Sequence, residues 1–172
     1  MTIAWRRQAI LTATVLLLLG AGPTVDAWAD GGGGSDAREN LSRGKPEDPE
    51  YTAAVRAIKA DKYAQAIPLL QQVVGRDPKN ADAYNWLAYA TRRNGDAAAS
   101  LPLYEKALAI DPKHRGAHEY IGEAYLMLGN VAKAKEHLAR LDSLCFLPCS
   151  EYKDLKKAVE QYEKTGKVST TH

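Results

Sequence analysis

The chain repeats itself at a fixed offset, and no other feature of it restricts the fold as tightly. Asp77-Pro78-Lys79 returns as Asp111-Pro112-Lys113, a shift of 34 residues. The same shift carries Ala83 onto Ala117, Ala90 onto Ala124, Gly95 onto Gly129 and Pro68 onto Pro102. A period of this length fits a unit of two short helices and a turn, and one such unit cannot bury its own apolar face. The chain is therefore expected to be all-α and to stack its units. Local chemistry agrees with the period. Asp48-Pro49 places an N-capping side chain before a preset φ. Asn94-Gly95-Asp96 and Gly129-Asn130 stop helices, because glycine reaches the left-handed region without strain. Pro78 and Pro112 break the chain between units. These signals predict helices over 49–60, 63–75, 81–94, 97–110, 115–128 and 131–144. Pro68 and Pro102 fall early in second helices, where a slight bend is expected.

At these positions the sequence resembles the tetratricopeptide repeat family over about residues 47–148, in repeats at about 47–80, 81–114 and 115–148. The family pattern is Trp-x2-Leu-Gly-x2-Tyr, then Ala-x3-Phe, then Pro. The second unit offers Tyr84, Leu87, Ala88 and Thr91, then Ser100, Tyr104 and Pro112. The third offers His118, Ile121, Gly122 and Tyr125, then Ala134 and Leu138, with Phe146 in place of the proline. The first is degenerate early, at Glu50, Ala53, Ala54 and Ala57, and regular late, at Ala66, Leu70 and Pro78. The resemblance implies three helix–turn–helix repeats in a right-handed solenoid. In it Ala54, Ala88 and Gly122 let paired helices approach, while Leu70, Tyr104 and Leu138 fill the gap. Three units are about the minimum for a stable stack, and the last face needs a cover. A C-terminal capping helix is predicted over 150–164, with Ser150 as cap and Tyr152, Leu155, Val159 and Tyr162 at helical spacing. Residues 165–172 read as a disordered tail.

The segment before the repeats reads as an export signal followed by a tether. Arg6 and Arg7 precede an apolar run over 9–22, and Ala27-Trp28-Ala29 offers small residues ahead of a cut before Asp30. The run is shorter than the roughly 20 residues of a bilayer-spanning helix, so no stable membrane span is expected after cleavage. An uncleaved anchor is the alternative. Arg6-Arg7 hints at twin-arginine export, but its flanks fit general secretion better. Residues 30–47 contain Gly31-Gly32-Gly33-Gly34-Ser35 and charged residues around a single Leu41, the composition of a flexible linker. A periplasmic or secreted location follows as an expectation. The 172-residue chain has 23 Lys and Arg against 21 Asp and Glu, a net charge of +2. The charges alternate along helix faces instead of clustering, so no nucleic-acid partner is expected.

Few residues suggest chemistry. Cys145 and Cys149 flank the turn before the capping helix, and in an exported chain such a pair forms a disulfide that fixes the helix angle. The alternative is a redox- or metal-handling pair, although Cys-x3-Cys differs from the Cys-x2-Cys of thioredoxin-like enzymes. His114 and His118 stand at i, i+4, a spacing that can hold a metal between two imidazoles. His118, however, falls at the family's Trp position, which packs inside the helix pair. There is no Ser/His/Asp order, no phosphate-cradling glycine loop and no isolated carboxylate pair. No enzymatic activity and no cofactor are expected.

The resemblance implies a concave face built from the first helix of each unit, used for binding a peptide or helix of another protein. Carried over by position, it includes Tyr51, Val55, Lys59, Asn85, Tyr89, Arg92, Glu119, Glu123 and Leu126. Trp86 and Tyr120 lie beside it, either as anchors or as packing between units. Gly116 and Tyr120 stand where a carboxylate clamp would place basic residues, so recognition of a chaperone's C-terminal carboxylate is not expected. Self-association through the degenerate first unit is a further expectation.

Overall fold

The structure is a computed structural model and describes residues 48–168. The predicted signal sequence over 1–29, the linker over 30–47 and residues 169–172 lie outside the described residues. The described residues form seven helices and no strand: α1 (Pro49–Lys59), α2 (Tyr63–Arg76), α3 (Ala81–Arg93), α4 (Ala97–Ile110), α5 (Arg115–Met127), α6 (Val131–Leu144) and α7 (Ser150–Thr165). Each helix packs on the next in the chain. The first helices of successive units also touch, α1 on α3 and α3 on α5, while α7 lies against both α5 and α6. This is a three-unit solenoid with a cap. No helix among the described residues is long and apolar enough to cross a membrane.

The helix ends follow from their caps. Asp48 Oδ1 accepts from the Glu50 and Tyr51 amides at 3.0 Å each. Asn80, Asp96 and Asn130 cap α3, α4 and α6 in the same way, each such bond contributing about 1 kcal/mol. Arg76 Nη2 then reaches Asp48 Oδ2 and Glu50 Oε2, both at 2.9 Å, and ties the end of α2 to the start of α1. The turn inside each unit needs one left-handed residue. Gly95 (φ 104°) and Gly129 (φ 78°) supply it in the second and third units. Asp61 (φ 57°) takes the equivalent place in the first, tolerated because a short polar side chain can bond locally. Its carboxylate accepts from the Tyr63 hydroxyl.

The core runs through the stack. Ala54, Ala88, Leu70 and Tyr104 are fully buried, whereas Leu138 is half-buried. Gly122 works differently from its counterparts. A Cβ at this residue would lie 2.6 Å from Leu155 Cδ2, so its missing side chain makes room for α7 rather than for α6. Leu155, Ala158 and Val159 are buried, with Tyr152 and Tyr162 packed around them.

Two details at the C-terminus differ from the sequence expectation. Cys149, not Ser150, is the N-cap of α7, and Ser150 Oγ donates to Glu151 Oε2 at 3.1 Å. Of the tail expected over 165–172, residues 165–168 are described and ordered. Thr165 is helical, and Gly166 at φ 66° turns the chain so that Val168 packs on the α6–α7 cluster, where its apolar side chain leaves water.

Gly122→Ala is expected to lower stability by about 1–2 kcal/mol. Overpacking against Leu155 costs about 1–3 kcal/mol, and helix propensity returns up to about 1 kcal/mol. Thermal unfolding by circular dichroism measures this. In a Leu155→Ala background the same change should be neutral or stabilising, because the contact it crowds is gone.

Candidate functional site

The residues expected to line a groove all lie on α1, α3 and α5, but the structure divides them into two groups. Tyr51, Trp86 and Tyr120 are half-buried at the face itself. Tyr51 also lines a cleft of about 260 Å³ with Thr52, Val55, Arg56 and Lys59. Asn85, Tyr89, Arg92, Glu119, Glu123 and Leu126 are buried. The aromatic rings form a row across the units. Trp86 meets Tyr89 edge-on at 5.6 Å, and Tyr89 meets Tyr120 at 4.9 Å between centroids. Trp86 and Tyr120 therefore pack between units and still present an edge outward.

Arg92 and Glu123 correct the sequence expectation that both face a partner. Arg92 Nη2 lies 2.8 Å from Glu123 Oε2, with side chains 4% and 1% exposed, so each charge answers the other. Arg92 Nε also donates to the Tyr104 hydroxyl at 3.4 Å, and the guanidinium lies 5.3 Å and 5.7 Å from the Tyr89 and Tyr120 rings. One side chain thus joins α3, α4 and α5. Burial pushes the Tyr104 and Tyr120 hydroxyls above their ordinary pKa, so both stay protonated. A lone charge at this depth would be heavily penalised, which is why the pair forms. The spacing carries a faint signal of it. Arg92 and Glu123 are 31 residues apart, one helical turn short of the repeat, which sets opposite charges on facing sides of adjacent units.

Asn85 is the exception among the buried polar groups. Its side chain is 4% exposed, and Oδ1 has no hydrogen-bond partner. An unsatisfied buried acceptor costs about 1–3 kcal/mol.

The structure does not bring His114 and His118 together. His114 Nδ1 accepts from the Ala117 amide at 3.1 Å and caps α5, while its Nε2 lies 3.0 Å from Asp82 Oδ1. His118 turns inward, with Nε2 3.1 Å from the Pro112 carbonyl and Nδ1 2.9 Å from His137 Nδ1. The carbonyl can only accept, so His118 carries its proton on Nε2, and His137 Nδ1–H donates to His118 Nδ1. His137 also stacks on Tyr125 at 5.8 Å. Burial, and then the neighbouring His118, hold the His137 pKa down at about 4; burial lowers that of His118 too. His137 was invisible to spacing because it lies on another helix. No cluster of three or more potential metal ligands occurs among the described residues. At the C-terminal turn, Cys145 and Cys149 face each other with Cα atoms 5.9 Å apart, within disulfide range.

Two outcomes are expected from this geometry. Arg92→Met or Glu123→Leu alone should cost about 3–5 kcal/mol, because each strands a buried charge, while the double variant should cost far less. A double-mutant cycle by urea unfolding gives the coupling. The histidines bind protons more readily when unfolded, where the reference value is 6.5. Their contribution is thus complete above pH 6.5 and lost as pH falls toward about 4. Between pH 7 and pH 5 the unfolding free energy should drop by about 2 kcal/mol from His137 alone, and His137→Phe should flatten that part of the profile.

Comparison with known proteins agrees with this geometry. Two family models described as tetratricopeptide repeat match residues 51–115 and 92–159, together more than half of the chain. No curated protein matches. Among solved structures, MamA 41-end from Desulfovibrio magneticus RS-1 is 25% identical with a TM-score of 0.54, covering 55% of this chain and 54% of its own. The chain thus spans about half the length of that protein. The first TPR of Spaghetti (RPAP3) bound to the HSP90 peptide SRMEEVD is 21% identical with a TM-score of 0.61, covering 67% of this chain and 91% of its own. The Yersinia enterocolitica type III secretion chaperone SycD, in complex with a peptide of the translocator YopD, is 20% identical with a TM-score of 0.58, covering 76% and 92%. On its repeat, its inter-unit packing and these matches, the chain belongs to the tetratricopeptide repeat family.

Proposed function

We propose that this protein is an interaction module of the bacterial cell envelope, holding a peptide or helix of another protein against α1, α3 and α5. It works by binding and not by catalysis. The observation that carries this reading is the aromatic row: Trp86 on α3 and Tyr120 on α5 are half-exposed, and the Tyr89 ring meets both. Those rings would supply contact area to a bound segment, since Trp and Tyr are common interface anchors. The cleft around Val55 extends the same face and exposes Arg56 and Lys59. Peptide binding by the Spaghetti (RPAP3) and SycD structures supports the mode by analogy of fold. An exported location is supported by the charged, apolar and small-residue order of the first 29 residues. A Cys145–Cys149 disulfide would suit the same compartment.

Arg56→Glu/Lys59→Glu separates function from folding. Both side chains are exposed beside the cleft, so stability should stay within about 0.5 kcal/mol. The same variant should lose the partner in a cross-linked pull-down from the native envelope, where the wild type captures one. A variant that is equally stable and captures the same protein as well as the wild type would falsify the assignment of this face.

A further inference from the structure

We propose that the turn from Cys145 to Cys149 is a site of thiol–disulfide exchange with a dithiol protein of the thioredoxin-like Cys-x2-Cys class, docked on Phe146 and Leu147. This does not depend on the inner face. Cys145 caps the end of α6 and Cys149 caps the start of α7, so both ends of the turn are held by helices. Both cysteines are half-exposed. Between them Phe146 is 100% exposed and Leu147 73%. Phe146 is the one phenylalanine of the chain, and covering such a side chain favours association. Here it stands in water beside two sulfurs, where the apolar surface of a partner can cover it.

The position of Cys149 sets the direction of the exchange. Its backbone is extended, and no side chain caps the amides of the first turn of α7. Once the sulfur–sulfur bond opens, Cys149 Sγ stands where an N-capping acceptor belongs. There the free amides and the helix dipole stabilise a thiolate. Cys149 is therefore the better leaving group and Cys145 the sulfur attacked. A thiolate of the partner attacks Cys145 Sγ and forms a mixed disulfide. The Cys145–Cys149 bond breaks, and its electron pair leaves on Cys149 Sγ. The partner's second thiolate then attacks the partner's first sulfur, closes the partner's own disulfide and releases Cys145 as a thiolate. Two electrons pass from the partner to the pair, and the protons lost by the partner's thiols return to the cysteines through solvent. The contacts that hold α7 do not involve the sulfurs: Leu155, Ala158 and Val159 are buried, and Arg115 Nε lies 3.6 Å from Glu151 Oε1. The sequence separation is only 4 residues, and closing so short a loop restricts the unfolded chain little.

The test follows thiol release by maleimide labelling when the full oxidised chain meets a reduced thioredoxin, beside dithiothreitol at equal dithiol concentration. The protein dithiol should reduce the pair at least about tenfold faster. Phe146→Ser/Leu147→Ser should abolish that advantage and leave the dithiothreitol rate unchanged. In Cys145→Ser and Cys149→Ser single variants, the remaining Cys149 should alkylate with iodoacetamide about tenfold faster than the remaining Cys145 at pH 7. Helical circular dichroism should persist on reduction. The proposal is overturned if thioredoxin is no faster than dithiothreitol, if the Ser/Ser variant reacts as fast as the wild type, or if the two cysteines alkylate equally. Loss of helix on reduction would also overturn it and leave the pair a structural staple.

Discussion

A helical repeat always leaves one apolar face open at the end of the stack, and the seating of α7 on Gly122 closes it here. Leu155 enters a notch that exists because residue 122 has no Cβ. With that contact made, Leu126, Ala134 and Leu141 share a buried cluster with Leu155, Ala158 and Val159. Without it the inner and outer helices of the third unit would carry that surface into water. The turn at Cys145 and Cys149, the placement of Val168 and the order of the last unit all follow from where α7 sits.

Toward the other end, cohesion between units passes through a buried charge. Arg92 reaches Glu123 on the next unit, Tyr104 within its own, and two aromatic faces. A buried pair of this kind adds little stability over apolar residues of the same size. It is nevertheless directional, because the guanidinium meets a carboxylate, a hydroxyl and two ring faces at once. Beneath the inner face Tyr89, Arg92 and Glu123 are buried together, while Trp86 and Tyr120 stay half-exposed.

The two clusters outside that face differ in what they can change. His118 and His137 stay neutral because burial disfavours their charged forms, so they link the third unit's stability to acidity. The cysteine turn carries Phe146 and Leu147, the most exposed large apolar side chains among the described residues. Both clusters sit on the third unit, whose outer helix α6 contributes His137 and ends at Cys145.

The sequence alone determined the architecture. A 34-residue period with its glycine stops, proline breaks and Asp or Asn caps leaves few alternatives, because each signal acts within a few residues of itself. Helix boundaries, the count of units and the capping helix were legible for that reason. The choice of partners was not. His114 and His118 sit four apart on one helix, yet the histidine that meets His118 comes from α6. Arg92 and Glu123 looked like groove residues until inter-unit packing brought them together. The unmet acceptor of Asn85, the notch at Gly122 and the exposure of Phe146 likewise depend on which helices approach and how closely. Those distances are set between segments far apart in the chain, where burial and shape decide and local propensity has no influence.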